Sequence, residues 1–553
     1  MKKSERLEQA IAAHQAGDLI RAAAAYRQLL AEDPDDTEAL NAQGILHLQG
    51  GRLPDALACF ERAAELAPTV AKYQNNIGNA QMALQAADAA VAHFFRAAEL
   101  DPANADFRAN LGTARMSSGD ATGAEDDFAQ ALSLDADNYQ AQQNLGGLLS
   151  KRNRLADALP HLQRAVQHPE CQIESVLNLT STYERLNRLD DASEAIRQAG
   201  ETPHPLAQIL RARLLRRRGD GAGALALLRR EGAPDRDLWG DEIVGDWHHE
   251  LALCADLVGG SVQVFEHCLT AKAHWRRADG DRAGTDYFAH VQRIARRASE
   301  AASAPAVGDA GDDPPPVVFF VGFPRSGTTL LEMMLDAHPD VITTAEADLL
   351  SPLLDVDGRP RGADCQGRYL DAVGQLVGAV SPGTTIVDKL PLNLVYCRAI
   401  ERIFPGGRLL VALRDPRDVV LSCLMQRFRR NDAMRNFDTL EQALALYEAV
   451  MGLWLAARPL LAMPWLEYRY EDLVAERDVT VDRILDFAGI DRHPAMDDYR
   501  QKAAAREVIT PSYRGVTEPI YNRAVGRWRA YENDLRPALD RLAPFVEAFG
   551  YEA

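Results

Sequence analysis

Cysteine is scarce: seven in 553 residues, none in a C-x-x-C pair or at metal-cluster spacing. That argues against a disulfide scaffold or a zinc ribbon. Free thiols in a reducing, cytoplasmic compartment are expected instead. Long hydrophobic runs are missing as well. No uninterrupted apolar stretch approaches about 20 residues, so no membrane-spanning helix is expected. The opening MKKSERLEQAIAAHQAG has charge but no apolar segment, unlike a secretory signal. Basic residues are outnumbered, 61 against 80 acidic, for a net charge of −19. That balance argues against a general nucleic-acid binder. The length exceeds what one core supports, so two or three domains are expected.

What is present first is a repeat. Gly44, Gly78, Gly112 and Gly146 stand 34 residues apart. The same period carries Ala56, Ala90, Ala124, Ala158 and Ala192, and again Ala63, Ala97, Ala131, Ala165 and Ala199. Tyr26, Phe60, Phe94, Phe128 and Leu162 follow it, and Pro34, Pro68 and Pro102 close units. Small residues let two helices approach, an aromatic fills the gap to the next unit, and proline ends the second helix. The pattern resembles a tetratricopeptide repeat (TPR) array, about six units over residues 1–206. Asn76, Asn110, Asn144 and Asn178 form one more ladder, two residues before each glycine position. An amide offers donor and acceptor edges that match a peptide bond. A similar ladder lines the TPR superhelix of O-GlcNAc transferase, so the resemblance implies an extended polypeptide held there. A solvated polar face is the other reading.

Residues 207–300 keep helical patterning but lose the period, and read as a degenerate TPR or helical connector with Trp239, Trp247 and Trp275 as packing residues. Residues 301–316, AASAPAVGDAGDDPPP, read as a linker. From Val317 to the end, short apolar runs alternate with helices, the pattern of a mostly parallel sheet with crossover helices. Five strands are expected, Val317–Gly322, Val341–Thr343, Thr384–Val387, Arg408–Leu413 and Trp465–Arg469. The fold class is therefore multidomain: an all-α TPR superhelix, then an α/β P-loop-like domain.

The most informative stretch is VVFFVGFPRSGTTLLEMMLDAHPDV, from Val317 to Val341. A β-branched run stops at Gly322, a turn with Pro324 and Gly327 follows, and an amphipathic helix is expected over Thr329–Ala337. Strand, turn and helix start aim backbone N–H groups at one point, an anion cradle. The G-x-x-x-x-G spacing from Gly322 to Gly327 is that of a nucleotide P-loop, yet Thr328 holds the lysine position. A γ-phosphate and its magnesium thus lose their usual partners. Arg325, Ser326, Gly327, Thr328 and Thr329 still suit a 5′-phosphate group. A small-molecule kinase is the competing P-loop reading.

F-P-R-S-G-T-T-L-L-E resembles the 5′-phosphosulfate loop of sulfotransferases that use 3′-phosphoadenosine-5′-phosphosulfate (PAPS). The continuation L-D-A-H-P-D-V is similar to tyrosylprotein sulfotransferases and their bacterial relatives. The resemblance implies PAPS as co-substrate and no metal. It also implies that Arg414 and Ser422, in L-R-D-P-R-D-V-V-L-S-C, grip the 3′-phosphate, where arginine's fork donates two bonds. Arg417, Arg427 and Arg429 add nearby charge. Glu346 matches the general base of the tyrosylprotein enzymes. A glutamate with a reference pKa of about 4.3 is weak against a phenol near about 10, so proton transfer must come late in a desolvated pocket. His338 is another conceivable base, but its A-H-P context reads as structural. Lys389, in V-D-K-L-P, matches a lysine at the transferring sulfonate or bridging oxygen, where it stabilises developing charge. Ser512 aligns with a serine beside the sulfonate, and Arg523 with basic residues near the 3′-phosphate.

There are departures. Asp348 and Pro352 stand where the tyrosylprotein enzymes carry arginines that read acidic targets, and Glu518 stands where they carry a lysine. The expected activity is sulfonate transfer to an acceptor hydroxyl, with tyrosine in a polypeptide held by the TPR array as one acceptor. A carbohydrate or small-molecule acceptor, with the array as a protein-interaction module, is the alternative. So is an inactive TPR scaffold. A homo-oligomer is compatible with the sequence.

Overall fold

A computed structural model describes residues 3–280, 285–298, 315–500 and 524–552. The chain divides into two compact units, Met1–Glu201 and Thr202–Ala553.

Helices α1 (Lys3–Gln15) to α12 (Leu189–Arg197) pair two by two along the first unit. The glycine ladder has a packing cause. A Cβ at Gly44, Gly78, Gly112 or Gly146 would come within 2.5–2.7 Å of the side chain of Phe60, Phe94, Phe128 or Leu162. Only glycine lets the paired helices close to this distance. The alanines at 56, 90, 124, 158 and 192 are fully buried for the same reason. A ladder the sequence reading passed over marks the turn within each pair. Gly17, Gly51, Gln85, Gly119, Asn153 and Asn187, 34 apart, all have φ between 60° and 91°. Glycine and asparagine tolerate this left-handed region. Gln85 does not share that tolerance.

The second unit begins with α13 (Pro205–Arg217), α14 (Gly221–Glu231), α15 (Arg236–Leu257, broken at Gly240), α16 (Ser261–Ala278) and α17 (Thr285–Ala298). These helices do not merely link. Trp247, Leu251, Cys268 and Ile294 share one core with Val317, Phe319 and Val321 of the sheet. A Cβ on Gly245 would lie 2.6 Å from the Trp275 ring, repeating the glycine–aromatic packing of the first unit. Residues 301–314 of the expected linker lie outside the described residues. Pro316 already belongs to the sheet, its carbonyl accepting the Ile386 N–H at 2.9 Å.

Strands β1 (Val317–Gly322), β2 (Val341–Thr343), β3 (Thr385–Lys389), β4 (Arg408–Leu413) and β5 (Trp465–Arg469) form a sheet ordered β2-β3-β1-β4-β5. Every pairing is parallel. β3 runs two residues further than the sequence suggested, which puts Lys389 on the strand itself. The helices here are α18 (Thr328–Asp336), α19 (Cys365–Val377), α20 (Cys397–Ile403), α21 (Pro416–Met425), α22 (Leu440–Ala457), α23 (Tyr470–Ala475), α24 (Arg477–Ala488) and α25 (Glu532–Ala548).

Side chains alternate along β1 and divide the core. Val318 and Phe320 pack with α18 and α24 on one face. Val317, Phe319 and Val321 pack with α19 to α22 on the other. Helix α18 is buried at every position rather than amphipathic, because the segment Pro494–Met496 packs against it in addition to the sheet. The stretch Leu440–Leu460, which contains α22, is by length and composition apolar enough to cross a membrane, and half of it is buried inside the protein.

From β1 the chain goes to β2 and β3 on one side, then to β4 and β5 on the other. Helices α18 and α21 leave β1 and β4 toward opposite faces. A crevice therefore opens beyond the carboxyl ends of β1 and β4, the place where ligands bind in such sheets.

Candidate active site

The turn after β1 is shaped by close approach. A Cβ on Gly322 would sit 2.7 Å from the Ala412 carbonyl oxygen on β4, and one on Gly327 would sit 2.3 Å from the Tyr470 ring. Arg325 and Gly327 have φ of 73° and 86°, and the Ser326 N–H donates to the Phe323 carbonyl at 3.2 Å. The Thr328 and Thr329 N–H groups at the start of α18 have no intrahelical acceptor, which suits them to an anion, while the Leu330 N–H donates to the Gly327 carbonyl at 3.2 Å. Ser326, Thr328 and Thr329 are buried around that point.

Arg325 Nε donates to Ser422 Oγ at 3.0 Å. Arg414 donates to the Arg325 carbonyl at 3.1 Å and, through its other terminal nitrogen, to the Ala524 carbonyl. Its guanidinium lies 5.1 Å from the centre of the Tyr470 ring. Arg414 Nε is buried without a hydrogen-bond partner among the described residues. Such an orphaned donor is costly unless a ligand satisfies it. The sequence suggested two separated grips, Arg325 at one and Arg414 with Ser422 at the other. The structure joins the three residues through the Arg325 carbonyl and side chain, because β1 and β4 are neighbours and their following loops converge.

Arg417 and Arg427 are committed elsewhere, and Arg429 is exposed. Arg417 chelates Asp415 and lies 3.9 Å from the Trp528 ring centre, while Arg427 pairs with Asp246 and Glu242. Asp418 accepts the Gly526 and Trp528 N–H groups at 2.7 and 2.8 Å, fixing the segment beside Arg414. Burial pushes its carboxyl above the usual range.

A second cluster sits at the carboxyl end of β3. The Lys389 ammonium is buried between Glu332 Oε2, at 2.8 Å, and Glu346 Oε1. The Glu346 N–H donates to the Lys389 carbonyl at 3.1 Å, so the two residues are tied through backbone and side chain. Ala345 and Glu346 have φ of 49° and 66°. Two consecutive non-glycine residues in the left-handed region cost about 1–3 kcal/mol each, and persist only where their surroundings hold them. Thr344 supplies the anchor. Its N–H donates to the Val387 carbonyl at 3.2 Å, and its Oγ1 accepts the Lys389 N–H at 3.2 Å. Asp388 points to the other face and accepts from Tyr369 Oη at 2.6 Å, with burial raising its pKa to about 6. His338 is tied down: Nδ1 accepts the Asp340 N–H at 3.0 Å, and Nε2 meets the Asp491 carbonyl at 2.9 Å. Those partners assign the neutral Nε2–H tautomer and a structural role.

Residues 316–494 match the Sulfotransferase family. Tetratricopeptide repeat matches cover 7–71, 41–105 and 109–170. The chain carries a sulfotransferase-family domain behind TPR repeats. Among similar proteins, a putative protein-tyrosine sulfotransferase of Caenorhabditis briggsae is 24% identical over 43% of this chain and 89% of its own length. Protein-tyrosine sulfotransferase 2 of Gallus gallus is 25% identical over 43% of this chain and 70% of its own. An uncharacterized protein of Aquifex aeolicus is 27% identical over 41% of this chain, which spans 32% of that protein.

Within the sulfotransferase-family domain, the structure brings together Arg325, Ser326, Gly327, Thr328, Thr329, Arg414 and Ser422 in one cluster, and Glu346 with Lys389 in another. Ser512 and Arg523 lie outside the described residues, as does Glu518. Sequence reasoning missed Tyr470 and Glu332. Tyr470 directly follows β5, at the ligand-bearing end of the sheet. Glu332 sits amid apolar neighbours in LLEMML.

In the TPR repeats, the asparagine ladder is engaged between units. Asn76 Nδ2 donates to Asn41 at 2.6 Å, Asn110 Nδ2 to Asn75 at 2.9 Å, and Asn144 Nδ2 to Thr113 at 3.0 Å. Asn110 also accepts from Gln140 at 3.1 Å. Asn178 is half-buried, with its Nδ2 beside Gly147. Packing between units thus uses one of the two N–H donors of each of the Asn76, Asn110 and Asn144 amides.

Proposed function

We propose that the protein is a PAPS-dependent sulfotransferase acting on a hydroxyl of a polypeptide. The observation that carries this reading is the Arg325–Ser422–Arg414 cluster with its orphaned, buried Arg414 Nε. An adenosine nucleotide bearing a 3′-phosphate offers oxygens for that donor and for the fork of Arg414. Ser326, Thr328, Thr329 and the open N–H groups of α18 would hold the 5′ end. When bound, PAPS supplies an activated sulfonate, and its transfer leaves 3′-phosphoadenosine-5′-phosphate (PAP).

The residues around Lys389 then have definite tasks. A Glu346 carboxylate oxygen would take the acceptor hydroxyl's proton as the hydroxyl oxygen bonds to sulfur and the bond from sulfur to the 5′-phosphate oxygen breaks. The Lys389 ammonium would offset the negative charge that builds on the departing phosphate oxygen, a contact that strengthens in the transition state. The polypeptide acceptor is supported by the names of the relatives and by the TPR repeats, whose general use is protein contact. Packing between units uses one N–H of each of the Asn76, Asn110 and Asn144 amides, and the second N–H of each remains for a polypeptide. The seven unpaired cysteines favour a reducing, cytoplasmic setting.

The test is calorimetry with PAP and with ADP, then transfer of radiolabelled sulfonate from PAPS to polypeptides of a cell extract. Micromolar PAP binding with none for ADP is expected, and Glu346→Ala should keep that affinity while losing turnover about 100-fold or more. Equal affinity for both nucleotides would sink the reading.

A further inference from the structure

Helix α21 carries Ser422 in its last turn, and the end of that helix is held by α15 and α16. The final carbonyls of a helix have no intrahelical donors. Here His249 Nε2 donates to the Met425 carbonyl at 3.0 Å, and Lys272 Nζ donates to the Gln426 carbonyl at 3.1 Å. Arg427, the next residue, pairs with Asp246 and Glu242 of α15. Three successive positions are thus fixed by two helices that the sequence reads as a connector. Gln426 lies four residues beyond Ser422, one helical turn away. On the same turn, Cys423 Sγ donates to the Pro324 carbonyl at 3.5 Å, next to Arg325. Lys272 is an unusual choice for its place. It is buried, and its ammonium lies 5.9 Å from the Phe428 ring centre. Burial lowers its pKa to about 8 against the opposing pull of Asp438, so it stays charged at neutral pH. A methionine would fill that space without the cost of burying a charge.

We infer that Lys272 is a positioning residue for Ser422, and that α15 and α16 belong to the nucleotide site through their hold on α21. The inference rests on the reading of Ser422 as part of the 3′-phosphate grip. The ammonium meets α21 at its carboxyl end, where the helix dipole is negative, and holds the Gln426 carbonyl by a charge-assisted hydrogen bond. His249 secures the preceding carbonyl. Burial lowers its pKa to about 3, so the ring is neutral, and Nε2 carries the proton because a carbonyl can only accept. One such contact lets a helix end pivot, whereas two on successive carbonyls fix its direction. Without the ammonium the Gln426 carbonyl loses its partner and the last turn frays. Ser422 Oγ then leaves its fixed place beside Arg325 Nε. Lys272 acts through the helix and is not itself a nucleotide contact.

The experiment compares the full chain as wild type, Lys272→Met, Ser422→Ala and the double variant. Calorimetry gives the PAP Kd, and hydrogen exchange without nucleotide follows the α21 amides. Lys272→Met should speed exchange in the last turn of α21 at least about tenfold and weaken PAP binding about tenfold. Ser422→Ala should weaken PAP binding by about the same factor. Because Lys272 acts through Ser422, the double variant should bind PAP no more than about threefold more weakly than Ser422→Ala alone. A double variant about tenfold weaker than Ser422→Ala shows independent effects, as a general loss of stability would, and overturns the inference. So does a PAP Kd within about twofold of wild type in either single variant. If Lys272→Met does not fold, Lys272→Gln takes its place in the same cycle, with a loss of at least about threefold expected and wild-type affinity overturning the inference. Failure of wild type itself to bind PAP removes the sulfotransfer reading instead. The hold on α21 is then judged by exchange, and unchanged exchange in the Lys272 variant overturns it.

Discussion

Arg325 and Ser422 are hydrogen-bonded at 3.0 Å although 97 residues separate them. Their contact brings together the turn after β1 and the helix after β4, which approach the crevice from opposite faces of the sheet. Arg414 completes the junction through the Arg325 carbonyl. Shape matters here as much as charge. Arg414→Lys keeps the positive charge but loses the planar fork and the stacking on Tyr470. PAP affinity should fall about tenfold or more by calorimetry, the loss expected for roughly one charge-assisted hydrogen bond. An unchanged Kd would mean that Arg414 acts only as a point charge.

Gly327 tests the cradle from the backbone side. Alanine there meets the Tyr470 ring at 2.3 Å and must also hold a φ of 86°. The two costs separate by experiment. Gly327→Ala should abolish measurable PAP binding. Adding Tyr470→Ala removes the clash but leaves the left-handed backbone, worth about 1–2 kcal/mol, so binding should return only in part. Full recovery in the double variant would assign the whole effect to the ring.

Asp388 gives a dependence on pH. Burial raises its carboxyl from 3.8 to about 6, while Tyr369 and Thr344 offset part of the shift through hydrogen bonds. Between those values the folded chain keeps a proton that the unfolded chain has lost. Stability therefore falls as pH rises through that window and levels off above it. A shift of about two units corresponds to roughly 3 kcal/mol. Asp388→Asn is neutral and of the same shape, so it lacks this slope. The gap between variant and wild-type urea midpoints for the second unit should move in the variant's favour from pH 4 to pH 7.5. A gap that stays constant would mean that Asp388 titrates normally.

Much of this architecture is legible in the chain. Val317–Gly322 and Arg408–Leu413 read as strands because apolar runs end at turn residues, and the 34-residue period announces itself through Gly44 or Phe60. What the sequence hides is long-range pairing. Nothing local says that Glu346 and Lys389, 43 residues apart, meet through the parallel pairing of β2 and β3. Glu332 reads as the polar face of an amphipathic helix until α18 proves buried all round. The asparagine ladder hides a contact of the same long-range kind. Asn110 looks free for a ligand because its partner, Asn75, is a neighbour only after the units stack.

Gln85 offers a prediction from the first unit that owes nothing to catalysis. It fills the turn position held by Gly17, Gly51, Gly119, Asn153 and Asn187 in the other units, with a φ of 62°. A residue with a Cβ pays about 1–2 kcal/mol to sit in the left-handed region, and glycine is spared that strain. Glycine also loses more freedom on folding, by about 0.5–1 kcal/mol, which cancels part of the gain. Gln85→Gly should therefore stabilise the array by about 0.5–1 kcal/mol. Gln85→Asn should gain less, and Gln85→Val should lose, since a β-branched side chain is disfavoured most strongly there. Thermal unfolding of the full chain, followed through the first transition assigned to the repeats, checks the order Gly, Asn, Gln, Val. An inverted order would show that the Gln85 side chain contributes more than its backbone strain costs.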